Sequence, residues 1–194
     1  MSKLAVACLL WVAGVVGAGA QTPVSLFDGK TLNGWKVVTC EAEVVDGAIL
    51  LKAGNGFLQA EKDYGDFVFE CDWKALNPDM WDSGVYFRAA DPEGNFPWPK
   101  QYQVNMRRGE EGSIDGADKK KAASLYKPGQ WNHYKLTVKG QTAELEFNGE
   151  KAWSRGGIEP AKGHLCLQSE VAGGGQFLFK NLAVTELDAS ARSR

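Results

Sequence analysis

Along Asp66–Ala75 apolar and polar residues alternate except at Val68, with Phe67, Phe69, Cys71 and Trp73 on one parity and Glu70, Asp72 and Lys74 on the other. Successive side chains of a strand point to opposite faces, so this segment is expected to be a strand with one face in a core. The same period recurs in Gly84–Ala89, where Val85 and Phe87 alternate with Gly84, Tyr86 and Arg88. In Gln101–Met106 it sets Tyr102, Val104 and Met106 against Gln101, Gln103 and Asn105. Further short strands are predicted over Glu43–Val45, Ala48–Lys52, Gly56–Ala60, Asn132–Val138, Ala143–Phe147, Lys151–Ser154, His164–Gln168 and Gln176–Glu186. Turn formers separate them: Asp46-Gly47 reads as a type I′ hairpin, and Lys139-Gly140-Gln141 and Asn148-Gly149 as further tight turns. Long amphipathic helices are absent from the pattern. Many short strands with frequent turns predict an all-β protein, a two-sheet antiparallel sandwich of the jelly-roll kind.

Two stretches break the rhythm. Ala90–Lys100 holds Pro92, Pro97 and Pro99 with Phe96 and Trp98, too much proline for a central strand, and reads as a long loop of the sort that carries function. Arg107–Ala123, with Lys119-Lys120-Lys121, reads as a solvated loop. After Leu187 the tail Asp188–Arg194 is expected to be disordered.

The N-terminus carries Lys3, an apolar run from Leu4 to Val16 and Ala18-Gly19-Ala20 before Gln21, which is the layout of a secretory signal peptide. The run is shorter than the roughly 20 residues that a membrane span needs. Residues 1–20 are therefore assigned to the leader and 21–187 to a single exported domain, periplasmic or extracellular, with no membrane span. A formal charge of −2 gives no footprint for nucleic acid. Removing the leader takes Cys8 and leaves Cys40, Cys71 and Cys166, an odd set in which one disulfide or none is allowed; spacing does not choose. Cys71 shares the core parity of its strand.

If the strands at Asp66–Ala75 and Gln101–Met106 flank Gly84–Ala89, then Glu70, Asp72, Tyr86, Arg88, Gln101, Gln103 and Asn105 form one polar surface. Carboxylates and amides hydrogen-bond vicinal hydroxyls, and aromatic rings cover the C–H faces of a pyranose, so such a surface suits a sugar. Trp81, Phe96 and Trp98 stand in adjoining loops to supply rings. The plain alternative is a wet outer face, which antiparallel sheets commonly have, with Arg88 and Asp72 as a structural ion pair. Other chemistries are thinly represented. His164 and Cys166 at i, i+2 make at most two metal ligands, Gly173-Gly174-Gly175 fits no phosphate loop, and Ser83 lies in no nucleophile elbow. No cofactor is demanded; the fold class admits a calcium ion, but no acidic ligand cluster calls for one.

Several segments together resemble the 3-keto-disaccharide hydrolase domain family, formerly a domain of unknown function. They are Leu26-Phe27-Asp28-Gly29-Lys30-Thr31-Leu32-Asn33-Gly34-Trp35, Tyr64-Gly65-Asp66-Phe67 leading to Asp72-Trp73-Lys74, Asp82–Arg88, Gly129-Gln130-Trp131-Asn132, Asn148-Gly149, Gly163–Gln168 and Phe179-Lys180-Asn181-Leu182. The resemblance implies a concanavalin A-like fold, shared with the laminin G modules, and cleavage of glycosides oxidised at C3. A ketone at C3 acidifies the C2 hydrogen, so a base can remove it and the C1 oxygen can leave, with water added afterwards. On that reading Asp72 is the base or a hydroxyl ligand. Arg88 and Tyr86 stabilise the enolate or protonate the leaving group; Gln103 and Gln168 orient the sugar, with Glu70, Gln101, Asn105 and Trp98 beside them. Two departures from the family pattern stand out. Gln101-Tyr102-Gln103 replaces a Glu-x-Gln pair, and Ser169-Glu170 follows Leu167-Gln168 where relatives carry His-Gly, which leaves Glu70 or Glu170 as substitute carboxylates. Two other functions compete: a non-catalytic carbohydrate-binding module, and an envelope protein that grips a partner through Ala90–Lys100. Oligomeric state is not legible.

Overall fold

The computed structural model describes residues 21–115, 117 and 119–188. Residues 1–20, expected to be a leader, and the tail beyond Asp188, expected to be disordered, lie outside the described residues. Among the described residues eleven strands run in chain order: β1 (Val24–Ser25), β2 (Trp35–Val45), β3 (Ala48–Ala60), β4 (Phe67–Ala75), β5 (Gly84–Ala90), β6 (Lys100–Asn105), β7 (Asn132–Lys139), β8 (Thr142–Phe147), β9 (Glu150–Arg155), β10 (His164–Glu170) and β11 (Phe177–Glu186). Two short helices, α1 (Lys119–Ser124) and α2 (Val171–Gly174), complete it. The lysine run is thus the opening of α1, not a loop: Ala122 is buried and holds the segment down as a helical turn.

The strands form one antiparallel sheet, curled over on itself in the order β6-β5-β10-β3-β11-β4-β7-β8-β9, with β2 on β3 and β1 on β11. This is the jelly-roll architecture that the short alternating strands predict. The curl is made by β3, which the sequence suggests is two strands. Its first part pairs Ile49–Leu51 with β11, and its second pairs Asn55–Gln59 with β10. At the corner Gly54 has φ +84°, while β2 bulges opposite at Thr39, φ +53°. An extra residue on one strand bends and twists a ladder, which lets one strand serve both layers. Asp46 and Gly47 both have positive φ, 49° and 76°, as a type I′ turn requires.

Alternation along β4 holds: Phe67, Phe69, Cys71 and Trp73 are fully buried, and Val68, Glu70, Asp72 and Lys74 are half-buried on the outer face. Trp73 centres the core, stacked on Tyr126 at 5.6 Å and edge-on to Tyr134 at 5.4 Å. Such ring pairs each add about 0.5–1.5 kcal/mol beyond the area they bury.

Sheet order corrects one expectation. β5 lies between β6 and β10, whereas β4 belongs to the other layer, between β11 and β7. Alternation tells which face a residue takes but not which strand lies beside it, and β10, over sixty residues further on, takes the place expected of β4.

Candidate functional site

The front layer, β6-β5-β10-β3, buries Val85, Phe87, Val104, Leu165 and Leu167 in the main core. Its other face carries a second, small apolar cluster of Phe57, Tyr86, Ala89 and Cys166, with Val38 and Trp98 packed on it. Trp98 reaches there from the proline-rich loop, where its indole N–H donates to the Ser169 carbonyl at 3.0 Å. Phe96 stands edge-on to Trp98 at 5.8 Å and is 64% exposed. The loop therefore delivers an open aromatic edge beside the sheet face.

Polar groups gather around that cluster by register. Tyr86 lies opposite both Gln103 and Cys166, and Gly84 opposite Asn105. The Gln103 amide donates to Gln168 Oε1, and the Gln168 amide donates to Glu170 Oε2 at 3.0 Å. Gly84 makes room for this chain, since a Cβ there would stand 2.8 Å from Gln103 Cγ. Ser83, fully buried, donates to the Gln168 carbonyl at 2.7 Å and pins the strand. Beside Glu170 lies Asp82, whose backbone N–H bonds Gly174 of α2 at 3.0 Å and whose carboxylate faces Arg107 Nε at 3.6 Å.

Electrostatics separates these groups from ordinary surface residues. Burial, then the charge of Glu170, pushes the Asp82 carboxyl up to about 6, against the pull of Arg107. Burial also raises Glu170, opposed by Arg107. Tyr86 is pushed well up by burial, then by Glu170 and Asp82, so it stays a protonated donor, and no described residue bonds its hydroxyl. Two carboxyls raised by burial, a phenol and a chain of amides can exchange protons with, and orient, a polyhydroxylated ligand.

Of the residues expected to share one surface, Tyr86, Gln103 and Gln168 come together, with Asn105 next to them and Gln101, exposed, further along β6. Trp98 joins them from its loop. Glu70 and Asp72 do not. They sit on the outside of the back layer, where Asp72 Oδ1 lies 2.7 Å from His133 Nδ1, Asp72 Oδ2 accepts from Asn181 at 2.6 Å, and His133 Nε2 is 3.8 Å from Glu70. Arg88 is also withdrawn. A bulge at φ +44° takes its side chain off the Tyr86 face, and it is 1% exposed. Its guanidinium donates to the Gly65 carbonyl at 3.0 Å, the Gly140 carbonyl at 2.6 Å and Asp66 at 2.7 Å. The ion pair is with Asp66, not Asp72, because the bulge breaks the two-residue period on which the expectation rested.

The sequence singles out neither Asp82 nor Arg107 for the site, and offers Glu170 only as a substitute carboxylate. The signal was present: Cys166, Gln168 and Glu170 share one parity, and so do Asp82, Gly84 and Tyr86. At the far end of the same face His164 Nδ1 lies 2.6 Å from Asp63, and its Nε2 3.4 Å from Asp91. All three described cysteines are free, and burial holds the thiols of Cys71 and Cys166 far above the ordinary range. Among the described residues no group of three or more His, Cys, Asp or Glu side chains is arranged to hold a metal ion. Nor is any helix among them long and apolar enough to cross a membrane.

Solved structures share this architecture. A protein from Parabacteroides distasonis ATCC 8503 with a provisional glycosyl hydrolase name is 24% identical, covering 86% of this chain and 94% of its own, with a TM-score of 0.67. The carbohydrate-binding module CBM66 from Bacillus subtilis is 14% identical over 79% of this chain and 96% of its own, with a TM-score of 0.62. A Bacillus licheniformis β-glucanase is 12% identical over 88% and 99%, with a TM-score of 0.52. At these identities the likeness is one of fold. No curated protein matches the sequence. The family model of the 3-keto-alpha-glucoside-1,2-lyase-like domain matches residues 22–185, nearly the whole described chain, and to that family this protein belongs.

Proposed function

We propose that this protein is an exported carbohydrate-active enzyme that cleaves glycosides already oxidised to a ketone at C3, on the front face around Tyr86, Asp82 and Glu170. Family membership supports the substrate class. The observation that carries the site is the pairing of two carboxyls, both raised by burial, with a phenol that is 7% exposed and whose hydroxyl no described residue bonds. Ionised Glu170 removes the C2 proton, and the C–H electrons form the enolate at C2–C3–O3. The Tyr86 hydroxyl donates to the enolate oxygen. Collapse of the enolate expels the C1 oxygen, which takes a proton from Asp82, the more strongly raised acid. Water then adds at C1 and a proton returns to C2, so the net result is hydrolysis. Gln103 and Gln168 hold ring hydroxyls, and Trp98 with Phe96 offers a flat apolar edge to the sugar. Arg107 favours the ionised form of Glu170, against the burial that raises it.

The test is turnover of a 3-keto-glycoside with a chromogenic leaving group. Glu170→Gln and Asp82→Asn should each lower kcat/KM by roughly 10²–10⁴-fold, the usual weight of a general acid or base. Asp72→Asn serves as comparison. A large loss at Asp72, with the Glu170 variant as active as wild type, would move the chemistry to the back layer and overturn this site.

A second reading, a non-catalytic carbohydrate-binding module, has its own support in the amides of Gln103, Asn105 and Gln168, which bind without transferring protons, and in the fold shared with CBM66. Calorimetric binding of unoxidised oligosaccharides, with no release from the keto substrate, would favour it.

A further inference from the structure

Next to the proposed site, a groove of about 280 Å³ runs beside the edge strand β6, its lining including Gln103, Asn105, Glu110, Asp115, Lys119 and Arg155. The groove is continuous with the site through shared residues. Gln103 belongs to both, Asn105 donates to Glu110 at 3.4 Å, and the charge of Glu110 is felt at Asp82. We infer that this groove is the subsite for the leaving group, and that it takes a neutral hexose. The inference rests on the reading of the Asp82–Glu170 cluster as the place of bond cleavage.

Three features of the lining point to that ligand. Its size lies just under the range of about 300–1,000 Å³ typical of small-molecule pockets, which suits one sugar ring, not a chain. Its charges balance: Lys119 and Arg155 stand against Glu110 and Asp115, with Lys119 Nζ 4.0 Å from Glu110. An anionic sugar would meet as much repulsion as attraction there. Alternating donors and acceptors instead match a ring of hydroxyls, each of which donates once and accepts. Arg155 Cζ lies 5.2 Å from the centre of the Tyr102 ring, a contact that holds the guanidinium at the wall of the groove. Asp82, the proposed acid, is linked to the Glu110 end of this groove through Arg107, whose Nε lies 3.6 Å from Asp82 and whose backbone N–H donates to Asn105 Oδ1 at 2.7 Å.

Two measurements decide it. The first compares a 3-keto-disaccharide whose leaving group is glucose with the 4-nitrophenyl 3-keto-glucoside, in wild type and in Arg155→Ala. The variant should lower the disaccharide-to-aryl ratio of kcat/KM by about tenfold, because interactions with the second ring are lost in only one substrate. An unchanged ratio overturns the inference. The second is independent of turnover: glucose is titrated into the wild-type protein and followed by heteronuclear NMR. Shifts confined to Asn105, Lys119, Arg155 and their neighbours support the groove; shifts elsewhere only, or none at saturating sugar, overturn it. Stronger binding of glucuronate than of glucose overturns the neutral-ligand clause. If neither keto substrate is cleaved, the cleavage reading fails while the titration still settles the groove.

Discussion

Arg88 allows a sharp separation between a structural and a catalytic role. By residue type and parity it belongs with Tyr86; by position it closes the end of the sandwich, tying β5 to the start of β4 and to the β7–β8 turn. Arg88→Ala leaves the Gly65 and Gly140 carbonyls without their donor and Asp66, only 14% exposed, without its cation. Breaking a buried pair from one side costs about 3–5 kcal/mol. The lower end applies here, since Asp66 keeps the Gly140 N–H at 2.9 Å and sits near the surface. At roughly 2–4 °C per kcal/mol for a domain of this size, about 3 kcal/mol lowers the melting temperature by about 6–12 °C. Arg88→Lys recovers little, because an ammonium cannot reach three acceptors arranged for a planar fork. The assay is a thermal melt followed by circular dichroism, with turnover of the keto substrate measured well below the transition. A melting temperature within a degree or two of wild type, together with a loss of turnover by about 10²-fold or more, would refute the structural role and return Arg88 to the chemistry.

Asp82→Asn should change stability with a defined pH dependence. The folded pKa is raised from 3.8 to about 6, so the native state prefers the protonated carboxyl, and wild type loses stability as pH rises through that window. The gap in melting temperature in favour of the Asn variant should therefore open between pH 4 and pH 6 and stay level above it; a gap that widens toward acid would contradict the burial of Asp82. The kcat/KM of wild type should fall as pH rises above about 6, where Asp82 loses its proton. Gly84→Ala places a Cβ 2.8 Å from Gln103 Cγ and 2.9 Å from its Cδ, so the amide must leave Gln168. Its KM should rise well beyond its loss of thermal stability, and an unchanged KM would show that Gln103 does not orient the sugar.

Much of the fold is legible in one dimension because strand alternation is a local property. Phe67, Phe69, Cys71 and Trp73 announce the core face of β4 whatever lies beside it, and Asp46-Gly47 announces its hairpin through the positive φ that both residues must adopt. The segments that carry the family resemblance are likewise read directly from the chain, and the family is the one the sequence suggests. Neighbourhood is not local. That β10 lies against β5, so that Glu170 comes beside Asp82 and Gln168 meets Gln103, follows from pairing across more than seventy residues, and only the folded sheet decides it. The bulge that withdraws Arg88 and the corner in β3 that carries one strand through both layers interrupt the two-residue period, and a rule built on that period cannot see its own interruption. Outside the bulges, sequence determined which side chains face a core and which face out; tertiary structure decided where the bulges fall and which outward groups meet, because a site depends on distances between strands and alternation speaks only of positions along one.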